Sequence, residues 1–228
     1  MPPIDPSSAL GASMSACFKT GLYSDLRIKD SNGHEYAVHR IIVCGQSAVL
    51  TNACKLEHGF KEAQTGVIDL GHDDPDAVRD MLEFMYHHRY LVSTNHAMLR
   101  HARAYAIGDI YFIPELKLKS YAAAEFKKLS SKGWNTADFT AAVRVIYDSV
   151  PITDKHGIRD IMTSVIAEHY DVLLTKPEFE AVLDDFSVLG KEILRALARA
   201  KAERRPYVQS GQPSVDMRRV MRHLRIDN

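Results

Sequence analysis

Cysteine is scarce in this 228-residue chain: three in all, Cys17, Cys44 and Cys54. An odd, sparse set excludes a disulfide framework and suits a reducing compartment, cytoplasm or nucleus. Long apolar runs are missing too, so no segment reaches the ~20 residues of a membrane-spanning helix. The opening Met1-Pro2-Pro3-Ile4-Asp5-Pro6 has neither the basic nor the apolar stretch of a secretory signal, and a secreted product is not expected. Net charge is absent as well. The 29 Lys+Arg balance 29 Asp+Glu, so nothing global draws the chain to phosphate backbones or lipid surfaces. Aromatics make up 8% and fall on apolar stripes, away from basic residues, which argues against nucleic-acid binding.

Catalytic constellations are equally lacking. The glycines at 21, 33, 45, 59, 66 and 71 never form a phosphate-cradling loop. Gly45-Gln46-Ser47-Ala48 lacks the second glycine of a nucleophile elbow. Among eleven histidines, His87 and His88 are adjacent and His96 and His101 are five apart, so neither pair shares a helix face. Cys54 and His58 supply half of a metal site. His34-Glu35 has no second histidine four residues on. The histidines read as surface or interface residues, and Asp73-Asp74 and Asp184-Asp185 as caps or solvated faces. No enzyme activity, cofactor or metal site is expected.

Present instead is a hairpin feeding into a helix. Leu26 and Ile28 alternate with Arg27 and Lys29, Asn32-Gly33 suits a tight turn with positive φ, and Tyr36 and Val38 alternate on the return. Ser47 caps a short helix through Leu50 and Ala53, and Val67–Leu70 is a third strand. Asp74-Pro75 opens a helix carrying Val78, Met81, Leu82, Met85 and Tyr86 at helical spacing. Further helices are predicted over 96–107 and from Pro114 through Phe126. Beyond Gly133 four more follow, beginning near Thr136, Ile158, Phe179 and Ser187. Strands confined to the first third and helices thereafter make an α+β chain.

The segments Ser24-Asp25-Leu26, Ala37-Val38-His39-Arg40, Ser47–Leu50, Gly59-Phe60-Lys61-Glu62-Ala63, Ile68-Asp69-Leu70, Phe84-Met85-Tyr86, Leu99–Asp109 and Ile113-Pro114-Glu115-Leu116 resemble, in order and spacing, the BTB/POZ domain family. The likeness is strongest to fungal BTB proteins with a C-terminal helical extension. The resemblance implies a small sheet capped by helical hairpins, followed by an all-helical, BACK-like extension. It also implies a protein–protein interaction module that self-associates as a homodimer or larger homo-oligomer. Such modules serve as adaptors or scaffolds, some as cullin-3 ubiquitin-ligase substrate adaptors that take an unknown protein substrate. A nuclear transcriptional regulator or co-repressor without its own DNA-binding domain is the alternative. Within this sequence no MATH domain, kelch repeat or zinc finger is seen, and Leu50 stands where many relatives carry phenylalanine.

Four residues follow from the resemblance as interface candidates. Phe60 and Glu62 stand at the hydrophobic-x-Glu position of cullin-binding members. Two readings stay open there: an apolar anchor with an acceptor, or an inward-packed Phe60 beside a solvated Glu62. Asp25 and Arg40 match a charged pair lining the dimer-interface pocket of relatives. Partly buried, such a pair also holds the hairpin to the next helix. His39 reads as a packing histidine whose ring bridges backbone groups. The expected organisation is a flexible segment over 1–19 with at most one short helix, the BTB/POZ domain over 20–131, the extension over 134–203 and a basic flexible tail over 204–228. From Lys201 onward seven Lys/Arg face three Asp/Glu, and weak nucleic-acid contact is expected only there.

Overall fold

The structure, a computed structural model, describes residues 9–58, 60–93, 95–113, 118–154 and 157–203. The position of Gly59, the expected helix start at Pro114 and the basic tail over 204–228 lie outside the described residues.

Alternation along β1 (Leu26–Asp30) buries Leu26, Ile28 and Asp30. β2 (Glu35–Val38) pairs antiparallel with it, Leu26 opposite Val38 and Ile28 opposite Tyr36. β3 (Val67–Leu70) lies parallel on the other flank, Ile28 opposite Ile68, so the mixed sheet has the order β2-β1-β3. The connecting turn departs from the sequence expectation. Only Gly33 takes a positive φ (79°), and Ser31–His34 form a four-residue loop. Its organiser is the buried Asp30 carboxylate, which accepts the N–H of Asn32 and of His34, each at 2.9 Å. The same carboxylate accepts the Tyr36 hydroxyl at 3.2 Å. Burial and this neighbour push the phenol up to about 12.

Residues 1–8 lie outside the described residues, and within the segment expected over 1–19 the helix allowed there is α1 (Ala9–Thr20). Its pattern is faint because Met14, Cys17 and Phe18 are nearly its only large apolar residues, and docking supplies what propensity does not. Phe18 stacks on Tyr86 with ring centroids 4.4 Å apart. After β2 come α2 (Arg40–Val43), a 3-10 turn (Cys44–Gln46) and α3 (Ala48–Ala53). The Ser47 hydroxyl caps α3 by accepting the Leu50 N–H at 3.1 Å. A second 3-10 turn (Leu56–His58) leads to α4 (Lys61–Thr65), which ends at Gly66 in the left-handed region (φ 67°). Asp74 caps α5 (Pro75–His87) by accepting the Ala77 N–H at 3.0 Å. The helical stripe Val78, Met81, Leu82, Met85 and Tyr86 is fully buried.

The remaining helices are α6 (Ala97–Ile110), α7 (Leu118–Gly133), α8 (Ala137–Ser149), α9 (Ile158–Leu173), α10 (Pro177–Asp185) and α11 (Ser187–Glu203). The extension is not hung on a tether. Its first helix, α8, packs on α6 almost as extensively as α7 does, and one apolar core runs from Leu26 to Ile193. At the start of α6 the cap position is His96, whose side chain caps nothing. Asp138 of α8 does so across the chain, accepting the N–H of Met98 at 2.9 Å and of Leu99 at 3.1 Å. Buried Lys119 of α7 donates to Asp109 (2.8 Å) and to Asp154 (2.9 Å) in the α8–α9 connection. Burial alone lowers its ammonium, but the two carboxylates outweigh it and the net shift is upward. Farther out, Arg159 of α9 donates to Val150 O (3.0 Å) and to Glu192 of α11 (3.3 Å). Each pair is separated by at least 9 positions, which makes these cross-links tertiary, not helical.

The histidines are not all at the surface. His101 of α6 is 5% exposed, with Nδ1 2.7 Å from the Tyr90 hydroxyl. Burial lowers its imidazole to about 4, against an ordinary 6.5. The unfolded chain therefore takes up a proton in this window that the folded chain refuses. The stability due to the neutral ring is complete above about pH 6.5 and is lost as pH falls through about 4, up to ~3 kcal/mol in all. Urea unfolding of the wild type is expected to weaken between about pH 7 and pH 5, and His101→Gln to flatten that slope. The same slope in both proteins contradicts the assignment.

Candidate protein-interaction surfaces

The first surface is built by the hairpin meeting α2. The Asp25 N–H donates to Val38 O at 3.2 Å, which sets its carboxylate over the start of α2. That carboxylate accepts the Arg40 N–H at 2.7 Å, and Arg40 Nε donates back to the Asp25 carbonyl at 3.2 Å. The pair expected from the sequence is thus brought together, but through the main chain, not as a carboxylate–guanidinium contact. Asp25 is exposed and Arg40 half-buried, so the expectation of two partly buried charges is corrected for Asp25. An acceptor at a helix start satisfies an otherwise orphaned N–H and needs no burial.

His39 is the packing histidine expected, but its ring bridges one backbone carbonyl and one side-chain hydroxyl, not two backbone groups. Its Nε2 lies 2.8 Å from Leu22 O and its Nδ1 2.6 Å from the Tyr86 hydroxyl, which also accepts the His39 N–H at 2.9 Å. Nε2 therefore donates to Leu22 O, and Nδ1 accepts from Tyr86. The 22–25 segment is in this way strapped along residues 39–41. It leaves Leu22, Tyr23 and Ile41 at 56%, 81% and 85% exposed around the Asp25–Arg40 contact. Tyr23 holds a left-handed φ of 64°, a conformation a bulky aromatic residue seldom adopts.

The second surface surrounds α3 and α4. Phe60, the cap residue of α4, is half-exposed, and Glu62 in the first turn is half-buried. Leu56, in the preceding 3-10 turn, is largely exposed. On the other side of α3, the Ser47 hydroxyl donates to Tyr111 O at 2.6 Å and fixes the end of α6 against the start of α3. Phe112, next in line, is largely exposed with φ 47°, and Ile110 is half-exposed. Leu22 and Tyr23 fall in the sheet-edge region around residues 14–28 expected to help build a homodimer, whereas exposed Ile41, Leu56 and Phe112 were not singled out. Their exposure is visible only in the structure, where Ile41 lies bare between buried His39 and buried Val43.

A three-stranded mixed sheet with helices on its flank and several exposed apolar residues call for comparison with interaction domains. The BTB/POZ domain family model matches residues 14–121. Residues 14–121 are a BTB/POZ domain. Compared with curated proteins, the chain finds no match. The match begins inside α1 and ends inside α7, so the BTB/POZ domain takes in the whole sheet and the helices through α6, with a helical region beyond it. BTB/POZ domains are non-catalytic modules that mediate protein–protein interaction and oligomerisation. Among the described residues no three His, Cys, Asp or Glu side chains gather into a metal-holding group. No described helix is long and apolar enough to cross a membrane.

The cap geometry makes a direct prediction for the BTB/POZ domain. Asp25→Ala removes the acceptor of the Arg40 N–H and is expected to cost about 1 kcal/mol in denaturant unfolding. Arg40→Ala keeps that cap and costs less. A larger loss for Arg40→Ala than for Asp25→Ala contradicts a main-chain pairing.

Proposed function

We propose that this protein is a self-associating adaptor or scaffold whose BTB/POZ domain presents two separate docking faces. The face of Leu22, Tyr23 and Ile41, organised by Asp25 and Arg40, pairs one copy of the chain with another. The face of Leu56, Phe60, Glu62 and Phe112 receives a second partner, with cullin-3 the leading candidate. There Phe60 supplies the apolar anchor and Glu62 an acceptor for a donor on the partner. The helical extension would then carry the surface that captures an unknown protein substrate. The carrying observation is the exposure of Tyr23 and Ile41, at 81% and 85%, beside a hydrogen-bonded charged pair. An apolar cluster with a polar core contact has the composition of an interface centre, and water is a poor partner for it. Three unbridged thiols favour the cytoplasm or nucleus as the place of action.

The two faces separate experimentally. Size-exclusion light scattering at micromolar concentration is expected to give a dimer or larger assembly, and Tyr23→Glu combined with Ile41→Glu to give a folded monomer. A monomeric wild type, or a double variant that assembles like the wild type, overturns the self-association reading. With a cullin-3 N-terminal fragment, Phe60→Ala combined with Glu62→Ala is expected to weaken binding about tenfold or more. Wild-type chain that does not bind the fragment, or a double variant with full affinity, retires the cullin reading.

A further inference from the structure

Two of the three thiols face each other. Cys44 Sγ lies 3.5 Å from Cys54 Sγ, while Cys17 stands apart on α1. The backbones that carry the pair are held in place independently of the sulfurs. The Thr51 hydroxyl donates to the Cys44 carbonyl at 2.5 Å, and the Cys54 N–H donates to Leu50 O and Thr51 O at 3.2 Å each. Cys44 therefore sits on the 3-10 turn, and Cys54 closes α3, in a fixed mutual register. Both are half-buried, with exposed Gly45 beside one and exposed Asn52 and Lys55 beside the other. To bond, the sulfurs must close by about 1.5 Å, within reach of small side-chain rotations.

The geometry points to Cys44 and Cys54 as an oxidisable dithiol, a covalent modification site at which a hydroperoxide converts two thiols to one disulfide. The residues have unequal roles. Burial first, then the neighbouring thiol, pushes Cys44 up to about 12, which keeps it protonated. Its S–H is placed to donate to Cys54 Sγ, which gives Cys54 the attacking role and Cys44 the resolving one. The Cys54 thiolate attacks the peroxide oxygen, the O–O bond breaks, and the leaving alkoxide or hydroxide takes up a proton. Cys54 is now a sulfenic acid and the peroxide is reduced. Cys44 then attacks the Cys54 sulfur, the S–O bond breaks, and water leaves with the Cys44 proton. Two thiols have lost two electrons and two protons to one peroxide. The resulting bridge fixes the base of the segment bearing Leu56 and Phe60. The chemistry does not depend on what docks there, and its test is separate from any binding assay.

Arg40 and Lys55 bracket a single tryptic peptide, Ile41–Lys55, that contains both thiols. Reduced full-length protein is treated with graded hydrogen peroxide, alkylated with N-ethylmaleimide, digested and weighed. The expected result is an Ile41–Lys55 peptide lighter by two hydrogens and unalkylated, restored by dithiothreitol, at doses that leave Cys17 alkylatable. A peptide still doubly alkylated at doses that oxidise Cys17, or one that gains oxygen without ever losing two hydrogens, overturns the site. Dimedone separates the roles. Cys54 in Cys44→Ser is expected to be labelled about tenfold faster than Cys44 in Cys54→Ser. Equal or reversed rates overturn the assignment of Cys54 as the attacking sulfur.

Discussion

α6 is enclosed by α5, α7 and α8, and each polar side chain it carries into that enclosure has to be matched there. Small residues, Ala102, Ala104, Ala106 and Gly108, let its neighbours approach closely. Arg100 makes a two-pronged contact with buried Asp80 of α5, with Nε 2.7 Å from the carboxylate. His101 meets Tyr90, the Tyr105 hydroxyl donates to Asp154 at 2.6 Å, and Asp109 accepts from Lys119. An unpaired charge in such a place costs several kcal/mol, so each of these pairings constrains the position of a separate element. The BTB/POZ domain and the helical region beyond it meet on this helix. Asp138 of α8 supplies the cap that the α6 start lacks, and Lys119 ties α7 to both Asp109 and the α8–α9 connection.

The exposed apolar residues around Asp25–Arg40 and at Phe112 are held on a fixed backbone. Exposed apolar side chains are costly to hold at fixed positions unless the backbone behind them is over-determined. Behind Tyr23 it is: Leu22 O, Asp25 and Tyr86 are all engaged by residues 39 and 40, and Phe18 stacks on Tyr86 from outside. Behind Phe112 it is again, through Ser47 and through the Tyr111 hydroxyl on Asp73. Tyr23 and Phe112 both hold left-handed backbone, a local strain that surrounding hydrogen bonds sustain.

Much of the fold was legible because its signals are local. Ser47 and Asp74 each cap the helix assigned to them, and the Val78–Tyr86 stripe is buried as its spacing predicts. The four helices beyond Gly133 begin where the apolar periodicity places them. What was not legible is set by distant residues. Helix α1 has little apolar stripe of its own and takes its place from Tyr86, some seventy positions on. The hairpin turn follows a buried Asp30 carboxylate, not the Asn-Gly pair. Of the site residues, the Asp25–Arg40 partnership was readable from the family likeness, but its main-chain form depends on how residues 22–25 are strapped to His39. Exposure of Ile41 or Leu56 has no sequence signature, since an apolar residue looks the same whether its face is covered or bare.

Native-state hydrogen exchange of the full-length chain across low denaturant tests the sharing of α6 most directly. If α6 joins the sheet and the extension into one cooperative unit, core amides of β1, α6, α8 and α9 exchange through the same global opening, with one free energy and one denaturant slope. Exchange of α8 and α9 through a separate, lower-energy opening that leaves β1 and α6 protected would contradict it.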